Sequence, residues 1–167
     1  SADGVAMVFH DGDLDRMTEE SGPVTARDAA ALGRIPLGGS TETIPTLAQV
    51  LDDVAGRAPI LVEIKSWHRP VGGLEAAAFS LLQDYDGAFA VQSFDPASLA
   101  WFRAHAPDIR RGQIGHRYRH LRHGRSAWQR FLLRNLLLSG QSRPHFIAYD
   151  IDDLPHPAPA LARRLGL

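Results

Sequence analysis

Glu63 and Lys65 are the residues of this chain whose types and spacing most plainly could do chemistry. They close the run Ile60-Leu61-Val62-Glu63-Ile64-Lys65, which reads as a strand buried on both faces. Side chains two apart on a strand point to the same side, so a carboxylate and an ammonium stand together at its C-terminal end. That is where α/β folds keep their active sites. Charge is costly to bury unless it is paired or metal-bound, so the pair needs a reason to be there. Of the 18 Lys and Arg residues, Lys65 is the only Lys, and a compact point charge suits a phosphate oxygen. An ion pair that merely satisfies itself explains these two residues equally well.

A second polar strand end is expected where Val5-Ala6-Met7-Val8-Phe9 stops at His10-Asp11. An imidazole exchanges protons near neutral pH, so His10 could protonate a leaving alkoxide or accept a proton. The bland reading is a hydrogen-bonded structural histidine, and Asp11 could orient it in either role. His116, His120 and His123 have a helical spacing that could hold a metal, but the surrounding arginines would repel a cation. His68, His105 and His145 read as surface or structural residues. Asp150 also ends a strand and could face a pocket, with no motif attached to it.

The elements that must position these groups alternate. After the first strand, residues 12–22 form a polar, turn-rich loop, and residues 25–32 have helical composition. Thr46 and Gln49 have capping-box spacing, and Leu47, Val50, Leu51 and Val54 make one apolar stripe. A helix over residues 73–85, a strand over 89–94 and a helix opened by Asp95-Pro96 follow. Then come a weak strand over 109–114, a strand over 146–150 and a helix from Pro157 stopped by Gly166. Between Arg110 and Arg134 there are eight Arg, three His and no acid, which reads as a solvated helix face before it reads as a lipid or nucleic-acid contact. Within it, Trp128, Phe131, Leu132, Leu136 and Leu137 form a stripe expected to be core, with membrane-surface contact as the alternative.

Alternating strands and helices imply a parallel sheet with right-handed crossovers. No glycine-rich phosphate loop follows the first strand, and polar groups recur at strand ends, so a TIM-type (β/α) barrel is favoured over a doubly wound sheet. About five strands are visible, short of a closed barrel, so the barrel reads as incomplete. The 167 residues, 44% hydrophobic and 22% charged, suit one domain with a real core, spanning 1–167. The net charge of −1 gives no global field to draw nucleic acid or an anionic membrane. The absence of Cys excludes disulfides and thiolate chemistry. With no signal peptide in view, the cytoplasm is the favoured compartment; oligomeric state is not legible.

Four motifs in order resemble the glycerophosphodiester phosphodiesterases. They are Val8-Phe9-His10-Asp11 with Leu14-Asp15-Arg16-Met17-Thr18, then Ile44-Pro45-Thr46-Leu47, then Glu63-Ile64-Lys65, then Gln92-Ser93-Phe94-Asp95. The resemblance implies a TIM barrel that hydrolyses glycerophosphodiesters, as small-molecule substrates, to glycerol 3-phosphate and an alcohol. It implies His10 as a catalytic histidine, Glu63 as a ligand of a divalent metal, Mg²⁺ or Ca²⁺, Lys65 beside the phosphate and Phe94 beside the substrate. The family pattern also opens with His-Arg-Gly and Glu-x-Asp strands and closes with a Trp-Thr-Val strand, none of which is in this sequence. By resemblance, then, the chain corresponds to about strands three to seven, with weak or no activity expected alone. The alternative from a different class is a non-catalytic relative that binds phosphate or lipid headgroups.

Overall fold

The computed structural model describes residues 1–66, 70–118 and 126–166. The chain divides into two compact units, Ser1–Pro59 with Trp67–Ala88, and Ile60–Ser66 with Phe89–Leu167.

The first unit holds α1 (Ala29–Leu32), α2 (Leu47–Val54) and α3 (Gly73–Leu82), and Leu32 of α1 joins a buried cluster with Leu14, Val24, Ile35 and Ile44. The strand expected over residues 5–9 is absent. Met7 makes one antiparallel bridge to Thr46, with Val8 N donating to Pro45 O and Leu47 N to Ala6 O. A β-prone run becomes a strand only when a ladder partner runs beside it, and here the partner turns away into α2. The helix expected over 25–32 is also shorter. A 3₁₀ turn spans Val24–Ala26, and Asp28 then starts α1 by accepting from Ala31 N at 2.7 Å. Such local side-chain bonds compete with a continuous helix. The capping box of α2 forms as the spacing predicts: Gln49 N donates to Thr46 Oγ1 and Thr46 N to Gln49 Oε1. Leu47 and Leu51 are its buried face. Glu75, fully buried in α3, closes that helix's first turn by accepting from Gly72 N at 2.8 Å.

The second unit holds four parallel strands in the order β1 (Ile60–Glu63), β2 (Phe89–Ser93), β3 (Arg111–Gly115) and β4 (Phe146–Tyr149). Each strand lies beside its predecessor with no reversal of order. That is the arrangement of a barrel arc, whereas a doubly wound sheet reverses at a switch point. The helices of this unit are α4 (Pro96–His105), α5 (Ala127–Arg134), α6 (Ser139–Ser142) and α7 (Pro157–Arg164). Asp95 caps α4 by accepting from Ala97 N, with Pro96 in its first turn, as expected. Leu99 and Phe102 of α4 are fully buried, and the helix packs on α6, β2 and β3.

The weak strand expected over 109–114 forms as β3, and within it the solvated-face reading of the basic run is corrected: Arg111 is buried, with Nη1 donating to Pro107 O and Ile109 O. The aromatic stripe is not core either. Trp128 is 66% exposed, Phe131 38% and Leu137 56%, and Leu133 is the buried residue of α5. His120 and His123 lie outside the described residues, as does His68.

Candidate active site

Strand pairing decides which side chains share a face. Leu61 pairs with Ala90 and Glu63 with Gln92; Gln92 pairs with Gly112, Gly112 with Phe146 and Ile114 with Ala148. Alternation along each strand then puts Ile64, Ser66, Val91, Ser93 and Gln113 on the face that meets α4, where they are buried. The Ser66 and Ser98 hydroxyls, 2.8 Å apart, mark that contact with α4. Glu63, Lys65, Gln92, Phe94, Ile114, His116, Ala148 and Asp150 project from the opposite face or continue its register past the strand ends. In a (β/α) arc that is the interior side, and its polar members gather at the C-terminal edge.

Lys65 Nζ lies 3.0 Å from Glu63 Oε1, with the two side chains only 17% and 25% exposed. The contact is one of charges rather than an aligned hydrogen bond, because that carboxylate oxygen is fully buried without a well-directed donor. A buried carboxylate oxygen with unused accepting capacity suits a cation or a donor on a bound molecule. The pair expected from the i, i+2 spacing therefore exists, on the face and at the strand end predicted.

Two strands away, an open cleft of about 450 Å³ is lined by Phe94, Ile114, Gly115, His116, Ala148, Tyr149 and Asp150. Phe94 meets the His116 ring edge-on at 5.5 Å, and His116 stacks on Tyr118 at 3.9 Å. Gln113 positions Phe94 from the buried side: its Nε2 donates to Ser93 O, Phe94 O and Ile114 O at 3.1–3.3 Å. Gly112 must lack a side chain, since a Cβ there would fall 2.1 Å from the Phe146 ring. His116 and Asp150 are the cleft residues that motif reading left without a role. The signal for them is register: each lies two residues beyond an interior-facing strand residue, as Lys65 does beyond Glu63.

His10 belongs to the first unit, on an exposed loop, and its ring is held from one side. Its Nδ1 is 2.6 Å from Asp11 Oδ1, while Asp11 also accepts from Arg16 Nε at 2.6 Å and Nη2 at 3.0 Å. Arg16 foremost, and then His10, hold the Asp11 carboxyl well below the usual carboxylate range. An ionised Asp11 accepting from Nδ1–H leaves Nε2 as the nitrogen that exchanges a proton. Asp11 therefore orients His10, as its position beside the ring allows. His105 and His145 have structural bonds: His105 stacks on Trp101, and His145 Nδ1 accepts from Arg111 N.

The expected divalent metal has Glu63 as a suitable hard ligand, but the described residues gather no group of three or more His, Asp or Glu. One carboxylate already paired with Lys65 does not make a Mg²⁺ or Ca²⁺ site, which takes about six oxygen ligands. The described residues alone do not fit the metal.

Parallel strands in sequential order, with polar groups at their C-terminal ends, define a partial (β/α)-barrel enzyme. The sequence model of the glycerophosphoryl diester phosphodiesterase family matches residues 1–137, and the chain belongs to that family. Among solved structures it is similar to a glycerophosphodiester phosphodiesterase from Agrobacterium tumefaciens, with TM-score 0.67 and 22% identity over 100% of this chain and 68% of that one. It is also similar to an Oleispira antarctica phosphodiesterase in complex with the product sn-glycerol-3-phosphate, with TM-score 0.64 and 24% identity over 99% of this chain and 74% of that one. A third similar structure, from Galdieria sulphuraria, has TM-score 0.71 and 18% identity, covering 96% of this chain and 63% of its own. None of the curated proteins matches the sequence. At these identities the structural likeness establishes the fold, and the family match establishes membership.

Proposed function

We propose that this chain carries part of the catalytic machinery of an enzyme that hydrolyses glycerophosphodiesters to glycerol 3-phosphate and an alcohol. The observation that supports this most is the Glu63–Lys65 pair, half-sheltered on the interior face at the C-terminal end of β1, in a chain of this family. A phosphodiester is an anion that repels nucleophiles, so its cleavage needs charge neutralised on the phosphoryl oxygens. Lys65 supplies a fixed positive charge for that purpose, and Glu63 aims it. Phe94 offers an apolar surface beside the phosphate position for the carbon skeleton of the substrate. His10, oriented through Nδ1 by Asp11, protonates the departing alkoxide from Nε2. Dependence on Mg²⁺ or Ca²⁺ is part of the proposal, with Glu63 as one ligand and the others outside the described residues.

The test is glycerol 3-phosphate release from glycerophosphocholine by the full-length protein, with Mg²⁺, with Ca²⁺ and with chelator. Product should form with metal and stop with chelator. Lys65→Ala should lower kcat by about 10²–10³, the scale of one electrostatic contact in a transition state. His10→Ala should lower it by about 10²–10⁴, the scale of a general acid. Unchanged turnover in Lys65→Ala would remove the assignment, and binding without hydrolysis across headgroups would leave a phosphate-binding relative instead.

A further inference from the structure

Helix α5 is amphipathic in the wrong direction for a core helix. At about 100° per residue, Trp128, Phe131 and Leu132 fall within roughly one third of its circumference. Leu133, its buried residue, lies roughly 150° from the middle of that stripe. The two aromatic residues therefore face outward, and their rings stack on each other at 5.4 Å. Arg134 flanks the stripe on one side, and its guanidinium sits over the Phe131 ring, 5.3 Å from its centre. The helix contains no acidic residue, and none occurs anywhere from Arg110 to Arg134. Ser126 and Gln129 close a capping box at its start, so the helix is locally specified although Trp128, in the middle of its apolar face, is 66% exposed.

We infer that α5 is a docking element for the surface of an anionic lipid bilayer. Aromatic and aliphatic side chains on one face, with the Arg134 guanidinium beside them and no acid in the helix, fit the boundary between headgroups and acyl chains. The charge complementarity selects the partner: a one-signed basic stretch matches a uniformly anionic surface, whereas protein interfaces pair both signs. No helix among the described residues is long and apolar enough to cross a membrane, so this contact lies in the plane of the surface. The last residue of α5 is tied to the cleft, because Tyr149 Oη donates to Arg134 O at 3.1 Å. A docked α5 therefore holds the cleft of Phe94, His116 and Asp150 beside the lipid. The inference does not depend on the catalytic proposal, since binding is read without turnover.

The experiment is flotation of the chain with vesicles of phosphatidylcholine alone and of phosphatidylcholine mixed with phosphatidylglycerol, alongside tryptophan fluorescence. Binding to the anionic vesicles, a blue shift in emission and weakening by added salt are expected. Trp128→Ala combined with Phe131→Ala, and separately Arg130→Glu combined with Arg134→Glu, should each weaken binding by roughly tenfold or more. Trp128, Phe131 and Arg134 are exposed and Arg130 is half-buried, so circular dichroism and the thermal midpoint should be preserved in the aromatic pair and in Arg134→Glu alone, which should weaken binding in the same direction. Trp128→Phe should retain binding while losing most of the blue shift, which separates insertion of this residue from a change at Trp67 or Trp101. No binding to anionic vesicles, or binding indifferent to both double variants, would overturn the inference. So would self-association in sedimentation that the same variants abolish, since the face would then belong to a second copy.

Discussion

Helices α2 and α5 are the same length and begin with the same device, a hydroxyl cap answered by a glutamine three residues on, yet they use their apolar faces in opposite ways. In α2 the stripe goes inward, with Leu47 and Leu51 buried. In α5 Leu133 goes inward while Trp128 and Phe131 go outward. Capping and periodicity decide that a helix forms and that it has a face. They do not decide what covers the face, and the Arg134 guanidinium over the Phe131 ring, in a helix with no acid, is the feature that tells the two apart.

The sharpest way to test the contrast is to delete one apolar side chain from each. Leu51→Ala should cost about 2–5 kcal/mol by chemical denaturation, the range for a buried leucine. Trp128→Ala, although it removes a larger side chain, should change stability by no more than about 0.5 kcal/mol, as for an exposed position. A large loss in Trp128→Ala would show that the α5 stripe is packed in solution and would break the comparison. The shared device should behave alike in both helices: Thr46→Ala and Ser126→Ala should each cost about 1 kcal/mol.

The smallest expected effect is on pH. Partial burial, followed by Arg117 and Arg134, pushes the His156 pKa below its ordinary value; His145 is lowered by burial and then by Arg111 and Arg110. Each accepts a backbone N–H at Nδ1, from Ala158 and Arg111 respectively, which requires the neutral ring. A histidine with a depressed folded pKa binds fewer protons than it does unfolded. The unit carrying α5 should therefore lose stability as pH falls below about 6.5 toward the lowered values. Thermal midpoints measured across that window should slope less in a His145→Gln, His156→Gln double variant. The surroundings of α2 contain neither histidine, so amide exchange in that helix should follow the same pH change less closely.

What the sequence made legible follows the same division. The four sheet strands, the Thr46 and Asp95 caps and the Glu63–Lys65 pair were all readable because each depends on residues close in the chain. The strand expected at Val5–Phe9 was not, because a ladder needs a neighbour and Met7 finds only Thr46. Glu75 carries no motif in the sequence, and in the structure it is fully buried and accepts the Gly72 amide. Asp150 was seen at a strand end but became a cleft residue only through the register that sets Ile114 beside Ala148. His116 joined it because β3 and β4 run in step, which no spacing within one segment encodes. Phe94 was read beside the substrate from its motif; the carboxamide of Gln113 that fixes its backbone comes from another strand.

The solitary lysine described on β1 has a use in protein chemistry. Every other basic side chain in the sequence is a guanidinium, so Lys65 carries its one ε-amine. Among the side chains of this sequence, reagents that acylate or reductively methylate amines have only that nitrogen to react with. Its shelter and its contact with Glu63 should make it slow to label, and an anionic ligand seated against it should make it slower still. Mass spectrometry of the Lys65-bearing peptide over a labelling time course would then read occupancy at one atom, with no mutation needed.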